Sequence, residues 1–108
     1  MKLLTQKIIK QLPPIYSTEN EKDPMIIVKF FTPDSNWTWW AWEYDPEDHI
    51  FFGLVDGFAV EMGYFSLQEL QQIRGPLGLP IERDMYFDPC RKSEIVAKLK
   101  AAGKSVYC

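Results

Sequence analysis

Eight carboxylates, Asp34, Glu43, Asp45, Glu47, Asp48, Asp56, Glu61 and Glu69, lie between Phe30 and Ile73, an interval with no lysine or arginine. Carboxylates at such density have three chemical uses. A pair can divide general-acid and general-base work. A group of oxygens can hold Mg²⁺ or Ca²⁺. An exposed array can imitate the phosphates of DNA and attract a basic protein. The segment EYDPEDH lacks the glycine and the ligand spacing of a calcium loop, so neither a metal site nor a cofactor is expected. Asp45, Glu47, Asp48, Asp56 and Glu61 fall at strand ends and turns. There they serve either as ordinary solvated turn acids or as a surface for a partner.

No catalytic residue is assigned. His49 is the single histidine, with no serine or cysteine at the spacing of a nucleophile and its base, and is expected at the surface. Cys90 lies in DPCRK, where the neighbouring cations favour a thiolate, but no partner histidine accompanies it. Arg74, Glu82, Arg83 and Asp84 flank the stiff GPLGLP segment. They read either as a polar recognition rim or as a helix-end cation with a set of structural ion pairs. Trp37, Trp39, Trp40 and Trp42 crowd one short stretch. They can stack bases or form a core; the missing cations around them favour the core, because phosphate neutralisation dominates nucleic-acid binding.

The elements that must position these groups follow from local chemistry. Pro33, Asp34, Ser35 and Asn36 make a turn between two stretches of strand composition, Met25–Thr32 and Trp37–Tyr44. Alternation places Thr38, Trp40, Trp42 and Tyr44 on one face, together with Ile26, Val28 and Phe30, and Trp37, Trp39, Ala41 and Glu43 on the other. With tryptophan on both faces, something must cover the second: a helix, a loop or a partner. Asp45–Asp48 is a second turn, Ile50–Val55 a third strand, Asp56-Gly57 a hairpin signal, and Phe58–Tyr64 a fourth strand. Thr5 caps a helix over about 6–12 that Pro13 and Pro14 end. Ser66 and Glu69 form a capping box for a helix to about Ile73, which Gly75 and Pro76 stop. Met85–Phe87 reads as a short strand, and Ser93 caps a last helix over 94–102, with Gly103 closing it. The fold class is α+β: a four-stranded antiparallel meander with an N-terminal, a mid-chain and a C-terminal helix, in a single domain over residues 1–108.

The 108 residues bury a core of sufficient size without staples. No apolar run reaches the ~18 residues of a membrane span, and Lys7 and Lys10 interrupt what would be the apolar core of an export signal. With two cysteines, Cys90 and Cys108, free thiols in the cytoplasm are expected. Charge is asymmetric. Residues 1–89 hold seven Lys/Arg against fourteen Asp/Glu, and residues 90–108 hold five against one, a distribution that speaks to partners and not to fold.

The strings DPMIIVKFFTPDSNWTWWAWEYD, FFGLVDGFAVEMGYFSLQEL and RGPLGLPIERDMYFDP resemble the bacterial domain-of-unknown-function family twenty-nine fifty-eight over about residues 3–89. The resemblance leaves the tail from Arg91 outside. It implies a setting on plasmids, integrative elements and phage-derived regions near DNA-processing and antirestriction genes, and it supplies no catalytic residue.

Two functions from different classes follow, with a third behind them. The first is a non-enzymatic accessory or anti-defence factor of a mobile element. It would bind a protein partner, such as a DNA-processing or defence protein, through Asp45, Glu47, Asp48, Asp56, Glu61, Trp37 and Trp39. The second is nucleic-acid binding through Arg91, Lys92, Lys98, Lys100 and Lys104 with exposed aromatics. The third is a small enzyme built on carboxylates and Arg83. Solvent-facing tryptophans beside cations favour the second, and a deep pocket joining Arg74, Glu82, Arg83 or His49 favours the third.

Overall fold

The structure is a computed structural model and describes residues 2–107. In chain order the elements are α1 (Gln6–Gln11), β1 (Met25–Ile26), β2 (Val28–Phe31), β3 (Thr38–Asp45), β4 (Ile50–Asp56), β5 (Val60–Ser66), α2 (Leu67–Gln72), β6 (Glu82–Arg83), β7 (Cys90–Arg91), α3 (Lys92–Ala101) and β8 (Val106–Tyr107). The expected meander, β2 to β5, forms the centre of a six-stranded sheet in the order β6-β2-β3-β4-β5-β8. All pairings are antiparallel except β5 with β8, which run parallel. β1 leaves that sheet to pair with β7. The strand expected over Met85–Phe87 is a turn; its neighbours Glu82–Arg83 pair with β2 instead. Two-residue edge strands carry no periodicity, so local pattern does not reveal them.

Each face of the sheet carries a buried core. On one, Val28, Phe30, Trp39, Ala41, Tyr44, Phe51 and Phe65 pack with Leu12, Leu70 and Ile81, and α1 adds Ile8 and Ile9. On the other, Ile26, Trp40, Trp42, Leu54 and Val60 pack with Ile95, Val96 and Leu99 of α3. The second face is therefore covered by the C-terminal helix. Trp39, Trp40 and Trp42 are all buried and Trp37 half-buried.

Strict alternation fails at two places. Between Ala41 and Glu43 the register with β4 shifts, leaving Trp42 as the extra residue of a β-bulge. Trp40 and Trp42 keep one face, but Tyr44 turns to the opposite one. Gly53 makes room at this bulge, since a Cβ there would lie 1.8 Å from the Trp40 carbonyl oxygen. The second break is Ile27, between β1 and β2, whose N–H donates to the Ala41 carbonyl at 2.9 Å. Ile26 thus joins Trp40 and Trp42, whereas Val28 and Phe30 join Trp39 and Ala41. This corrects the single shared face expected for all five.

The helix ends are secured in two ways. Thr5 and Ser66 cap α1 and α2 as expected, their hydroxyls accepting from the Ile8 and Glu69 amides. Ser93, by contrast, lies inside α3 and caps nothing. Its N–H (2.8 Å) and its hydroxyl (2.7 Å) donate to the two carboxylate oxygens of Asp23, a residue seventy positions earlier. The cap comes from a distant loop, which fastens the helix covering the second face to the chain that precedes β1.

Candidate functional site

The β-bulge that reverses Tyr44 also turns Glu43 inward, beside Trp42. Glu43 is 3% exposed. One carboxylate oxygen accepts from the Tyr16 N–H at 2.9 Å, and the other from the Thr18 N–H at 3.0 Å and the Thr18 hydroxyl. A buried carboxylate survives when donors meet its lone pairs, and here they come from the polar YSTENEKD loop. Tyr16 is held at a φ of 69°, and the residue is two-thirds exposed.

Glu43 thereby builds one wall of a cleft of about 270 Å³. Across the sheet, Glu43 pairs with Phe52 and Phe52 with Tyr64, one residue on each of three adjacent strands. Trp42 meets Phe52 edge to face at 5.7 Å, Phe52 lies 4.8 Å from Tyr64, and Tyr16 meets Tyr64 at 6.4 Å. Pro24, Met62, Glu19, Glu21 and Lys92 complete the lining. The Lys92 ammonium stands 5.9 Å from the centre of the Trp42 ring, at the limit of a cation–π contact. A hydrogen bond with Tyr16 holds the Tyr64 phenol above its ordinary range; burial and the Glu43 and Glu19 charges act in the same direction. Glu19 and Glu21 are exposed and form no ion pair with another described residue. Carboxylates and aromatic rings share the exposed part of the lining, with Lys92 as the cation among them.

The sequence candidates are dispersed. Asp45, Glu47 and Asp48 occupy the β3–β4 turn, where the Asp45 carboxylate accepts from the Glu47 N–H at 2.9 Å. Asp56 pairs with Thr38 at the other end of β3, about 23 Å away for eight residues of strand. These acids therefore do not form one surface. Asp56 is in addition 7% exposed and ion-paired to Lys104, so it cannot face a partner. Glu61 is exposed on β5. Trp39 is core. Trp37 stacks edge-on against Phe58 at 5.1 Å and shares a second cleft of about 240 Å³ with Trp39, Arg74 and Pro76.

Arg74 donates to the Gln71 and Ile73 carbonyls at 2.9 Å, capping the end of α2. Glu82 and Arg83 form the sheet edge, Arg83 donating to the Lys2 carbonyl at 2.7 Å, and Asp84 pairs with Lys29 at 3.4 Å. Arg74 and Arg83 line different clefts, and His49 is exposed at the turn with its Nδ1 2.8 Å from the Tyr44 hydroxyl. They do not converge.

Of the tail cations, Lys104 is paired with Asp56 and Arg91 donates to the Asp23 carbonyl at 3.2 Å. Lys92 lies over Trp42, and Lys98 and Lys100 are exposed. No solvent-facing tryptophan stands beside them. The Cys90 thiol is pushed up, not down: burial dominates, Glu94 adds to it, and Lys98 opposes it weakly. That reverses the thiolate expected from DPCRK. Cys90 is free, whereas Cys108 lies outside the described residues. Sequence reasoning missed Tyr16, Glu19, Glu21, Phe52 and Tyr64. The available signal was a tyrosine followed by acids in YSTENEKD, but the pairing that brings it to Tyr64 is tertiary.

Among the described residues no group of three or more His, Cys, Asp or Glu is arranged to hold a metal ion. Among the same residues no helix is long and apolar enough to cross a membrane. These features define a small α+β protein with a sheet covered by helices on both faces and open clefts at its margins. The profile described as Protein of unknown function (DUF2958) matches residues 3–106, and the chain belongs to that family. The match takes in α3, so the basic tail is part of the family sequence and not an appendage to it. No curated protein and no solved structure matches the chain.

Proposed function

We propose that this protein is a non-enzymatic accessory factor that binds a basic protein partner in the cytoplasm, through the acidic, aromatic cleft between the 16–21 loop and β3–β5. The observation that carries this reading is the cleft itself. Rings of Tyr16 and Tyr64 lie open, with Phe52 half-buried, beside unpaired Glu19 and Glu21, and Glu43 is committed to holding the loop. Aromatic anchors within a charged rim are the composition of a protein-binding hot spot. The acidic partner surface read from the sequence is retained in kind and moved to other residues. The mobile-element setting implied by the family resemblance suggests the partner class: DNA-processing and defence proteins carry basic clefts for phosphate.

The test is reconstitution with the protein captured from host extract, purified separately. Reversing Glu19 and Glu21 to lysine should abolish the complex while leaving the melting temperature unchanged, and binding should weaken as salt rises. Reversal of Asp45, Glu47 and Asp48 should matter far less. A salt-sensitive gel shift on DNA that is lost with Lys98 and Lys100 would instead promote the nucleic-acid reading.

A further inference from the structure

The cleft is specific about the kind of group it accepts. Its walls are ring faces and edges, its rim is two unpaired carboxylates, and it already holds one cation, the Lys92 ammonium over Trp42. At about 270 Å³ it falls just below the usual range of small-molecule sites, roughly 300–1,000 Å³. A volume of that size suits a single side chain. A planar guanidinium stacks on aromatic rings while its edge donates in parallel to carboxylates, which an ammonium does not do. The exposed Tyr16 and Tyr64 rings, with Phe52 on the far side of Tyr64 and the Glu19 and Glu21 carboxylates in the same lining, offer both contacts at once.

We infer that the cleft is the receptor for one arginine side chain of the basic partner, and that Lys92 is a built-in competitor for it. This rests on the function proposed above and adds the ligand group. Lys92 repels the incoming guanidinium and occupies part of the aromatic surface, so it sets the affinity from within. Glu43 is a positioning residue: it holds the loop that supplies Tyr16, Glu19 and Glu21, and touches no ligand.

The full chain can be titrated at low salt with N-acetyl-arginine amide, and with the citrulline and lysine analogues, following the ring signals of Trp42, Phe52 and Tyr64 by NMR. Arginine should shift these signals saturably and more tightly than lysine, and the uncharged citrulline isostere should leave them in place. Tyr64→Ala, at a 55% exposed position, should weaken binding by roughly twofold to fivefold, the size of one exposed cation–π contact. Lys92→Met should strengthen it. Citrulline or lysine matching arginine would overturn the arginine assignment, and unchanged or weaker binding to Lys92→Met would overturn the competitor role. If arginine produces no saturable shift but the complex still responds to reversal of Glu19 and Glu21, the arginine receptor falls and the basic-partner reading stands. Loss of both responses removes both.

Discussion

The Lys104 ammonium meets the Asp56 carboxylate at the end of β4, joining the C-terminal segment to the edge of the central meander. The Asp56 side chain is 9% exposed and that of Lys104 42%. An acid of the expected partner surface and a cation of the expected nucleic-acid surface therefore satisfy each other. Removing Lys104 leaves a buried carboxylate without its partner, and Lys104→Met should destabilise by about 1–3 kcal/mol. This is less than the loss of a fully buried pair, because the lysine is half in water. Adding Asp56→Asn should recover most of the loss. A double-mutant cycle in urea measures the coupling, and a coupling near zero would show the pair to be incidental.

Asp23 secures α3, and its hold depends on pH. Hydrogen bonds from the Ser93 hydroxyl and amide, then the Arg91 and Lys92 charges, keep its carboxyl below the usual range, against a smaller opposing effect of burial. A depressed folded-state value contributes stability that is complete above the unfolded value, about 3.9, and is lost as pH falls through the folded value. At neutral pH, Asp23→Asn should melt below the unmodified protein. The gap should close only in strong acid, below about pH 4. A gap that is constant across that range would rule out the carboxylate as the cause.

Gly53 and Gly63 face each other across β4 and β5, yet alanine should be disruptive at the first and nearly neutral at the second. At Gly53 the added carbon meets the Trp40 carbonyl at 1.8 Å, whereas at Gly63 nothing lies within 4 Å. Gly53→Ala should cost several kcal/mol, on the order of the largest single-residue effects, or prevent folding. Gly63→Ala should stay within about 0.5 kcal/mol of the unmodified protein. Comparable denaturation midpoints for the two would mean that the bulge at Trp42 is misplaced.

Glu43→Ala should release the 16–18 loop. Three donors lose their acceptor; a hydrogen bond to a charged group contributes roughly 1.5–3 kcal/mol, but water takes up the freed donors once the loop opens, so a loss of about 3 kcal/mol, well short of the three-bond sum, is expected. Limited proteolysis should cut first near Tyr16, with the sheet still intact by near-ultraviolet circular dichroism. Cleavage that begins elsewhere would detach Glu43 from this role.

The Cys90 thiol should alkylate slowly in the native state. Its rate should rise with pH only beyond the ordinary thiol range of about 8.5, because burial and Glu94 disfavour the thiolate. A native midpoint below that of the unfolded chain would mean that the neighbouring cations of DPCRK favour the thiolate after all.

Local chemistry alone determined the parts of this protein whose causes lie within a few residues. The Pro33–Asn36 turn, the Thr5 and Ser66 caps and the breaks at Pro13 and Gly75 each depend on neighbours, and each stands where the sequence places it, as do the strands of the central meander to within about two residues. The demand for a covered second face was also legible, since tryptophan alternated onto both sides of one strand. What covers it was not. The amphipathic stripe of α3 fits any apolar face, and only the docking of Ile95, Val96 and Leu99 on Trp40 and Trp42 selects this one. The bulge at Trp42 arises from pairing between strands, so alternation read along one strand placed Tyr44 on the wrong face and gave no sign that Glu43 would be buried. Charge was the least legible property. Asp56 and Lys104 are far apart in sequence and opposite in sign, and a carboxylate acts as surface or as core according to which donors the fold brings within 3 Å, which is decided by contacts across the chain.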